Sequence, residues 1–216
     1  MSKDSTALGS EHFAYITAHT TPEDRLLAEL RTAAAAAGLP AIHIAAEQAA
    51  FLQILLALCK ARDVVEVGTL GGYSAIAMAR ALPPGGKVRT IEFEPKHAEF
   101  ARAWIARSDV NDRVEVLLGD GRQVLPTLAG DSADAIFIDA DKQGYPTYLQ
   151  QGLRIVRRGG LIMADNALAF GELLDGSSRD ASVLAIRKFN DLVAATAGLR
   201  AVIVPLGDGC WVGIRQ

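Results

Sequence analysis

The spacing of apolar positions along this 216-residue chain changes once. Up to about residue 61 they recur every three or four residues, the helical period. That spacing predicts helices over Ser10–Ala18, Pro22–Ala37 and Ala45–Ala61. The second has Thr21 as its expected N-cap, Pro22 at the first helical position, acids in the first turn, and Gly38 then Pro40 at its end.

From Asp63 onward, short continuous apolar runs alternate with helical stretches. The runs are Val64–Val67, Val88–Phe93, Val114–Leu118, Ala135–Ile138 and Gly160–Ala164. Continuous rather than alternating hydrophobicity marks strands buried on both faces. The alternation with helices predicts an α/β fold whose mostly parallel sheet is covered on both sides. Two further runs, Arg200–Pro205 and Cys210–Ile214, are joined by Leu206-Gly207-Asp208-Gly209, which reads as a hairpin turn closing the sheet with an antiparallel strand. No repeat or linker divides the chain, so residues 1–216 are expected to form one domain, with N-terminal helices to about residue 61 and an α/β core over 62–216.

Composition narrows the function classes. With 50% hydrophobic and 22% charged residues the chain can build a core, which argues against disorder. A net charge of −3 without any Lys/Arg-rich run argues against nucleic acid and anionic membranes as partners. The opening MSKDSTALGSEHF lacks the apolar core of a signal peptide, and no run reaches transmembrane length, so the expected location is the cytoplasm. The two cysteines, Cys59 and Cys210, sit among apolar residues and read as buried thiols. The four histidines, His12, His19, His43 and His97, are scattered and make no zinc-ligand spacing.

Candidate chemistry gathers at the ends of the predicted strands. "VVEVGTLGGYS" places Gly68, Gly71 and Gly72 after the first strand, where backbone can approach a ligand. Glycines at relative positions 0, 3 and 4 do not match the 0, 2, 5 fingerprint of a dinucleotide pyrophosphate site. Glu66, two residues before the loop, suits a cationic ligand and would repel a pyrophosphate. Glu92, ending the second strand with Glu94 beyond, stands where a ribose diol is held by charge-assisted hydrogen bonds. Together they favour a nucleoside without phosphate, and S-adenosylmethionine fits. Asp120 and Gly121, after the third strand, could meet its adenine edge, although Gly-Asp-Gly is also a common turn.

Further along, Asp139 ends the fourth strand and Asp165-Asn166 the fifth. Neighbouring strands lie about 5 Å apart, so two carboxylates and an amide could converge on one point. Hard oxygen donors of this kind suit Mg²⁺, Mn²⁺ or Ca²⁺. Either cluster alone reads equally as a turn or a helix cap; their placement on adjacent strand ends beside a glycine loop favours a site. Lys142, three residues past Asp139, is a candidate general base.

In "EVGTLGGYS", "IEFEP", "FIDADK" and "GGLIMADN", in that order and spacing, the chain resembles the cation-dependent class I O-methyltransferases of the caffeoyl-CoA and catechol type. The resemblance runs from "AAEQAAFLQILLAL" to the terminal hairpin. It implies a Rossmann-like, seven-stranded, mostly parallel sheet with extra N-terminal helices, a homodimer, and methyl transfer to a vicinal aromatic diol. It also implies cofactor contacts at Ile44 (through its backbone), Glu66, Gly68, Thr69, Ser74, Glu92, Gly121 and Asp139. Metal ligands would be Asp139, Asp165 and Asn166, and Lys142 and Asp139 would be catalytic. Two departures concern the acceptor. "DNALAFGELLDG" has Ala169 and Phe170 where relatives commonly carry a tryptophan, and "QGY" follows the lysine in place of acid-Asn-Tyr. On this reading Ala169 leaves room beside the metal, while Phe170 and Tyr145 offer flat surfaces to an aromatic ring. Rival readings are a nicotinamide oxidoreductase, against which the glycine spacing counts, and a haloacid-dehalogenase-like phosphatase. The latter's apolar-Asp-x-Asp motif would normally open its domain, whereas Asp139 stands near the end of the sheet.

Overall fold

A computed structural model describes residues 9–216; the start of the predicted N-terminal segment, residues 1–8, lies outside the described residues. Three helices come first: α1 (Ser10–His19), α2 (Arg25–Ala36) and α3 (Ala46–Leu58). Helix α2 starts three residues later than its proline suggests. Asp24, not Thr21, is the N-cap, and its carboxylate accepts from the Leu27 N–H at 3.1 Å. A carboxylate at that position also complements the helix dipole. Helix α3 stops before Ala61 because Lys60 turns into the left-handed region (φ 53°). The Ala61 N–H then returns to Leu56 O at 2.9 Å and that of Lys60 to Ala57 O at 3.1 Å, a Schellman ending.

The core follows as β1 (Asp63–Val67), α4 (Tyr73–Ala81), β2 (Lys87–Glu92), α5 (Pro95–Ile105), β3 (Val114–Leu118), a single turn α6 (Gly121–Val124), β4 (Ala133–Ile138), α7 (Tyr145–Ile155), β5 (Val156–Ala164), α8 (Ala181–Ala195), β6 (Leu199–Val204) and β7 (Cys210–Arg215). The seven strands lie in the order β3-β2-β1-β4-β5-β7-β6. The first five run parallel, and β7 pairs antiparallel with both β5 and β6. The reversed strand is thus next to the edge, with β6 outermost.

Helices cover both faces. Val64, Phe137 and Met163 point to α3, α4 and α5, where Leu52, Leu56, Ile76 and Met78 are fully buried. Val65, Ile136 and Ile162 point the other way, to α7 and α8, with Tyr148, Ile155 and Phe189. Burial on both faces is why these strands lack a polar alternation. The strand order reverses between β1 and β4, so the β1–α4 and β4–α7 connections leave the sheet in opposite directions. A crevice at the carboxyl ends of the strands results, the usual ligand position in open parallel sheets.

Candidate active site

The crevice holds a cavity of about 700 Å³. Its first wall is the β1–α4 loop. Gly68 sits at φ 100°, and a Cβ there would come within 1.8 Å of Asp139 O, so the loop and the end of β4 are in backbone contact only because residue 68 is glycine. The Thr69 and Leu70 N–H groups then donate to one oxygen of Glu92 at 3.1 and 2.8 Å, and the Glu94 N–H donates to the other at 2.9 Å. Glu92 therefore fastens the glycine loop to the end of β2 while facing the cavity. Ile44, Ser74, Gly121 and Asp139 line the same space, as do Phe93 and His97.

Glu66 does not line it. The carboxylate is fully buried on the α4 side of the sheet, beside its strand partner Thr90. It accepts from Ser74 Oγ at 2.5 Å and Thr90 Oγ1 at 2.6 Å. Burial pushes this carboxyl up to about 8, against the pull of the two hydroxyl hydrogen bonds. In this arrangement Glu66 stands behind Ser74. Glu66 holds Ser74, and Ser74 lines the wall.

Asp139, beside the loop, and Lys142, Asp165 and Asn166 line the cavity too. Lys142 is 9% exposed; its Nζ donates to the Tyr145 hydroxyl at 2.7 Å and to Asp139 Oδ1 at 3.3 Å. Asp165 is 6% exposed and accepts from Gln48 Nε2 at 2.6 Å. Burial, then the nearby charge of Asp139, raise its carboxyl to about 7. Asn166, at φ 62°, donates through Nδ2 to Asp208 Oδ2 at 3.0 Å.

This donor set fits a hard divalent cation. Two carboxylates disfavour each other's ionisation, a conflict that positive charge between them would relieve. The amide has its nitrogen occupied by Asp208, which leaves its oxygen as the remaining donor. Among the described residues no cluster of three or more His, Cys, Asp or Glu side chains is placed to hold a metal, so a thiolate or imidazole centre has no counterpart there.

Comparison with known proteins agrees with this geometry. The family model described as O-methyltransferase matches residues 17–216. The chain belongs to the O-methyltransferase family. It is 41% identical over 197 residues to a catechol O-methyltransferase of Niastella koreensis, covering 90% of this chain and 87% of that one. It is also 41% identical over 201 residues to a catechol O-methyltransferase of Mycobacterium tuberculosis, covering 93% and 91%. An O-methyltransferase from Bacillus cereus, solved in complex with SAH, superposes with a TM-score of 0.85 at 39% identity, covering 94% of this chain and 96% of the other. The nicotinamide and phosphatase readings fall with that membership.

Several residues of this O-methyltransferase take places that the sequence did not suggest. Tyr145 is fully buried, packs edge-on against Phe189 with ring centroids 5.0 Å apart, and turns its hydroxyl to Lys142, so it offers no flat face to an acceptor. Ala169 is likewise buried and lies outside the cavity lining, so its methyl group opens no space there; Phe170 does line the cavity and is 54% exposed. Gln48 and Asp208 were missed. Gln48 had a legible signal, a polar residue on the stripe 48, 52, 56 that α3 buries. Asp208 had none, since Gly-Asp-Gly is ordinary turn chemistry. His43 also lines the cavity, with its Nε2 buried and unpaired and its ring held towards the neutral form by burial.

Proposed function

We propose that this O-methyltransferase moves the methyl group of S-adenosylmethionine to one oxygen of a vicinal aromatic diol, with a divalent cation, Mg²⁺ foremost, held by Asp139, Asp165 and Asn166. The observation that carries the reading is the lining of a single cavity. Glu92 and the glycine loop line it together with the two carboxylates, the amide and Lys142.

On this reading Glu92 receives the ribose hydroxyls, Gly68, Thr69, Gly121 and Ile44 shape the cofactor wall, and Ser74, braced by Glu66, presents a hydroxyl to the amino-acid end. A cation in the Asp139–Asp165–Asn166 set would supply charge that acidifies a phenol and would favour acceptors with two adjacent oxygens. Lys142 Nζ, once its ammonium has released a proton to solvent, takes the proton of the attacking hydroxyl; Asp139 and the Tyr145 hydroxyl, which burial keeps protonated, hold it in place. Phe170 supplies the apolar wall for the ring. The oxygen attacks the methyl carbon as the sulfonium leaves as a neutral thioether. Charge separation falls along that path, so a water-poor cleft favours it.

Acceptor size follows from charge. The lysine and arginine side chains that line the cavity are Lys142, bound to Asp139 and Tyr145, and Arg122, bound to Asp120. Neither is free to pair with the phosphates of a coenzyme A thioester, which favours small free catechols and phenolic acids. The reading extends to a homodimer in the cytoplasm. Helix α1 buries none of its residues and leaves Tyr15 65% exposed, a surface a second subunit could cover, and the thiols Cys59 and Cys210 are free. No described helix is long and apolar enough to cross a membrane.

The test is a head-to-head of a simple catechol, caffeic acid, caffeoyl-CoA and a matched monophenol at saturating Mg²⁺. The diols should react and the monophenol should not. Preferred methylation of the monophenol would contradict the diol reading, and a strong preference for the thioester would contradict the charge argument alone.

A further inference from the structure

The β6–β7 turn does more than reverse the chain. Three consecutive residues of it, Gly207, Asp208 and Gly209, meet Gln48, Asn166 and Leu168 in turn. A Cβ on Gly207 (φ 58°) would meet Gln48 Oε1 at 2.7 Å, and Gln48 is the residue that holds Asp165. Asp208 uses one oxygen twice: Oδ2 accepts from Asn166 Nδ2 at 3.0 Å and from the Phe170 N–H at 2.9 Å. A Cβ on Gly209 (φ 80°) would meet Leu168 Cγ at 2.6 Å, so the backbones close directly, with Ala167 N donating to Gly209 O at 2.8 Å and Leu168 N to Asp208 O at 2.9 Å.

The segment held in this way is strained. Asn166, Ala169 and Phe170 have φ of 62°, 54° and 60°, conformations that residues with a side chain seldom adopt and that persist only where surrounding contacts over-determine them. The turn provides those contacts. An ionised carboxylate can only accept hydrogen bonds, so Asp208 also decides which way round the Asn166 amide sits. Its nitrogen must face Asp208, and its oxygen becomes the atom left for a ligand.

We propose that Asp208 is the positioning residue of the cation site: it orients the Asn166 amide oxygen as a ligand and, through the Phe170 N–H, fixes the acceptor wall in the same act. This rests on the reading of Asn166 as a cation ligand. One oxygen thereby sets both the amide and the aromatic wall.

The experiment is a calorimetric Mg²⁺ titration of the wild type, Asp208→Ala, Asp208→Asn, Asn166→Ala and the Asp208→Ala/Asn166→Ala double variant, with SAH binding as the control for folding. Asp208→Ala should weaken Mg²⁺ binding by about tenfold or more, the range for loss of a group that orients a metal ligand, and leave SAH affinity within about twofold. Asp208→Asn keeps an acceptor oxygen, which the Phe170 N–H would hold at the Oδ2 position facing Asn166, and should stay within about threefold of the wild type. In the Asn166→Ala background, removal of Asp208 should change Mg²⁺ affinity less than about twofold, because the amide it acts through is gone. Wild-type affinity in Asp208→Ala would overturn the proposal, as would an Asp208→Asn variant as weak as Asp208→Ala, or a full effect without Asn166. A wild type that binds no Mg²⁺ would overturn the cation reading itself, a separate result. Should Asp208→Ala not fold, hydrogen exchange in the metal-free wild type decides. The Asn166 side-chain amide and the Phe170 N–H must both be protected, and free exchange at both overturns the proposal.

Discussion

Gln48 and Asp165 are 117 residues apart in sequence, and their side chains meet at 2.6 Å beneath the cavity. That hydrogen bond ties α3 to the end of β5 and favours the ionised form of a carboxyl that burial, even against it, raises to about 7. Replacing Gln48 by alanine leaves the carboxylate buried without this donor. Gln48→Ala should lose about 1.5–3 kcal/mol of stability at pH 8, the range for a hydrogen bond to a charged group. Urea denaturation measures it, and a change below about 0.5 kcal/mol would contradict the assigned role.

Glu66 makes stability depend on pH in a direction opposite to most carboxylates. Its carboxyl titrates near 8 in the folded protein and at 4.5 ordinarily, so the folded state holds a proton that the unfolded chain releases. The contribution is full below about pH 4.5 and is lost as pH rises towards 8. Glu66→Gln keeps the shape and removes the titration. Relative to the wild type, it should gain about 2–4 kcal/mol between pH 5 and pH 8. Parallel stability curves for the two proteins would rule the burial effect out.

The β1–α4 loop and its site were largely legible, because physics leaves few ways to write them. A strand buried on both faces must be apolar throughout, and "VVEV" and "AIFI" read that way. Gly68 announced a close backbone approach, and in the structure a Cβ there would stand 1.8 Å from Asp139 O. The strand-end acids Glu92, Asp139 and Asp165 followed from where such sheets bind ligands. Facing direction was harder to read. Glu66 points away from the cavity because it shares the α4 side of β1 with Val64. Tyr145 turns inward and Phe170 outward as a consequence of tertiary packing and three left-handed residues, for which local sequence carries no signal. Gln48 and Asp208 act on the cluster across more than forty residues; the buried stripe of α3 singles out Gln48 but not its partner, and nothing local marks Asp208.

Glu92 anchors the glycine loop and, on the proposed reading, also receives the cofactor, so its removal should expose both. Glu92→Ala should weaken SAH binding by about 1.5–3 kcal/mol and reduce its thermal stabilisation of the protein. Unchanged SAH affinity by calorimetry would remove Glu92 from the cofactor wall.

Lys142 donates to Asp139 and Tyr145 at the cavity edge, and on the proposed reading its neutral amine receives the phenol proton. Lys142→Ala should lower kcat by about 10²-fold with KM less affected. A variant within about twofold of the wild type would return Lys142 to a charge-balancing role beside Asp139.

The account turns on whether methyl transfer needs a cation held by Asp139, Asp165 and Asn166. The direct measurement is transfer of a labelled methyl group from S-adenosylmethionine to a simple catechol. It is made on enzyme stripped with EDTA and then on the same enzyme resupplied with Mg²⁺, alongside Asp165→Ala. Activity should vanish with the chelator and return with the metal, and Asp165→Ala should stay folded and nearly inactive at any Mg²⁺ concentration. Full turnover by the stripped enzyme would contradict the account.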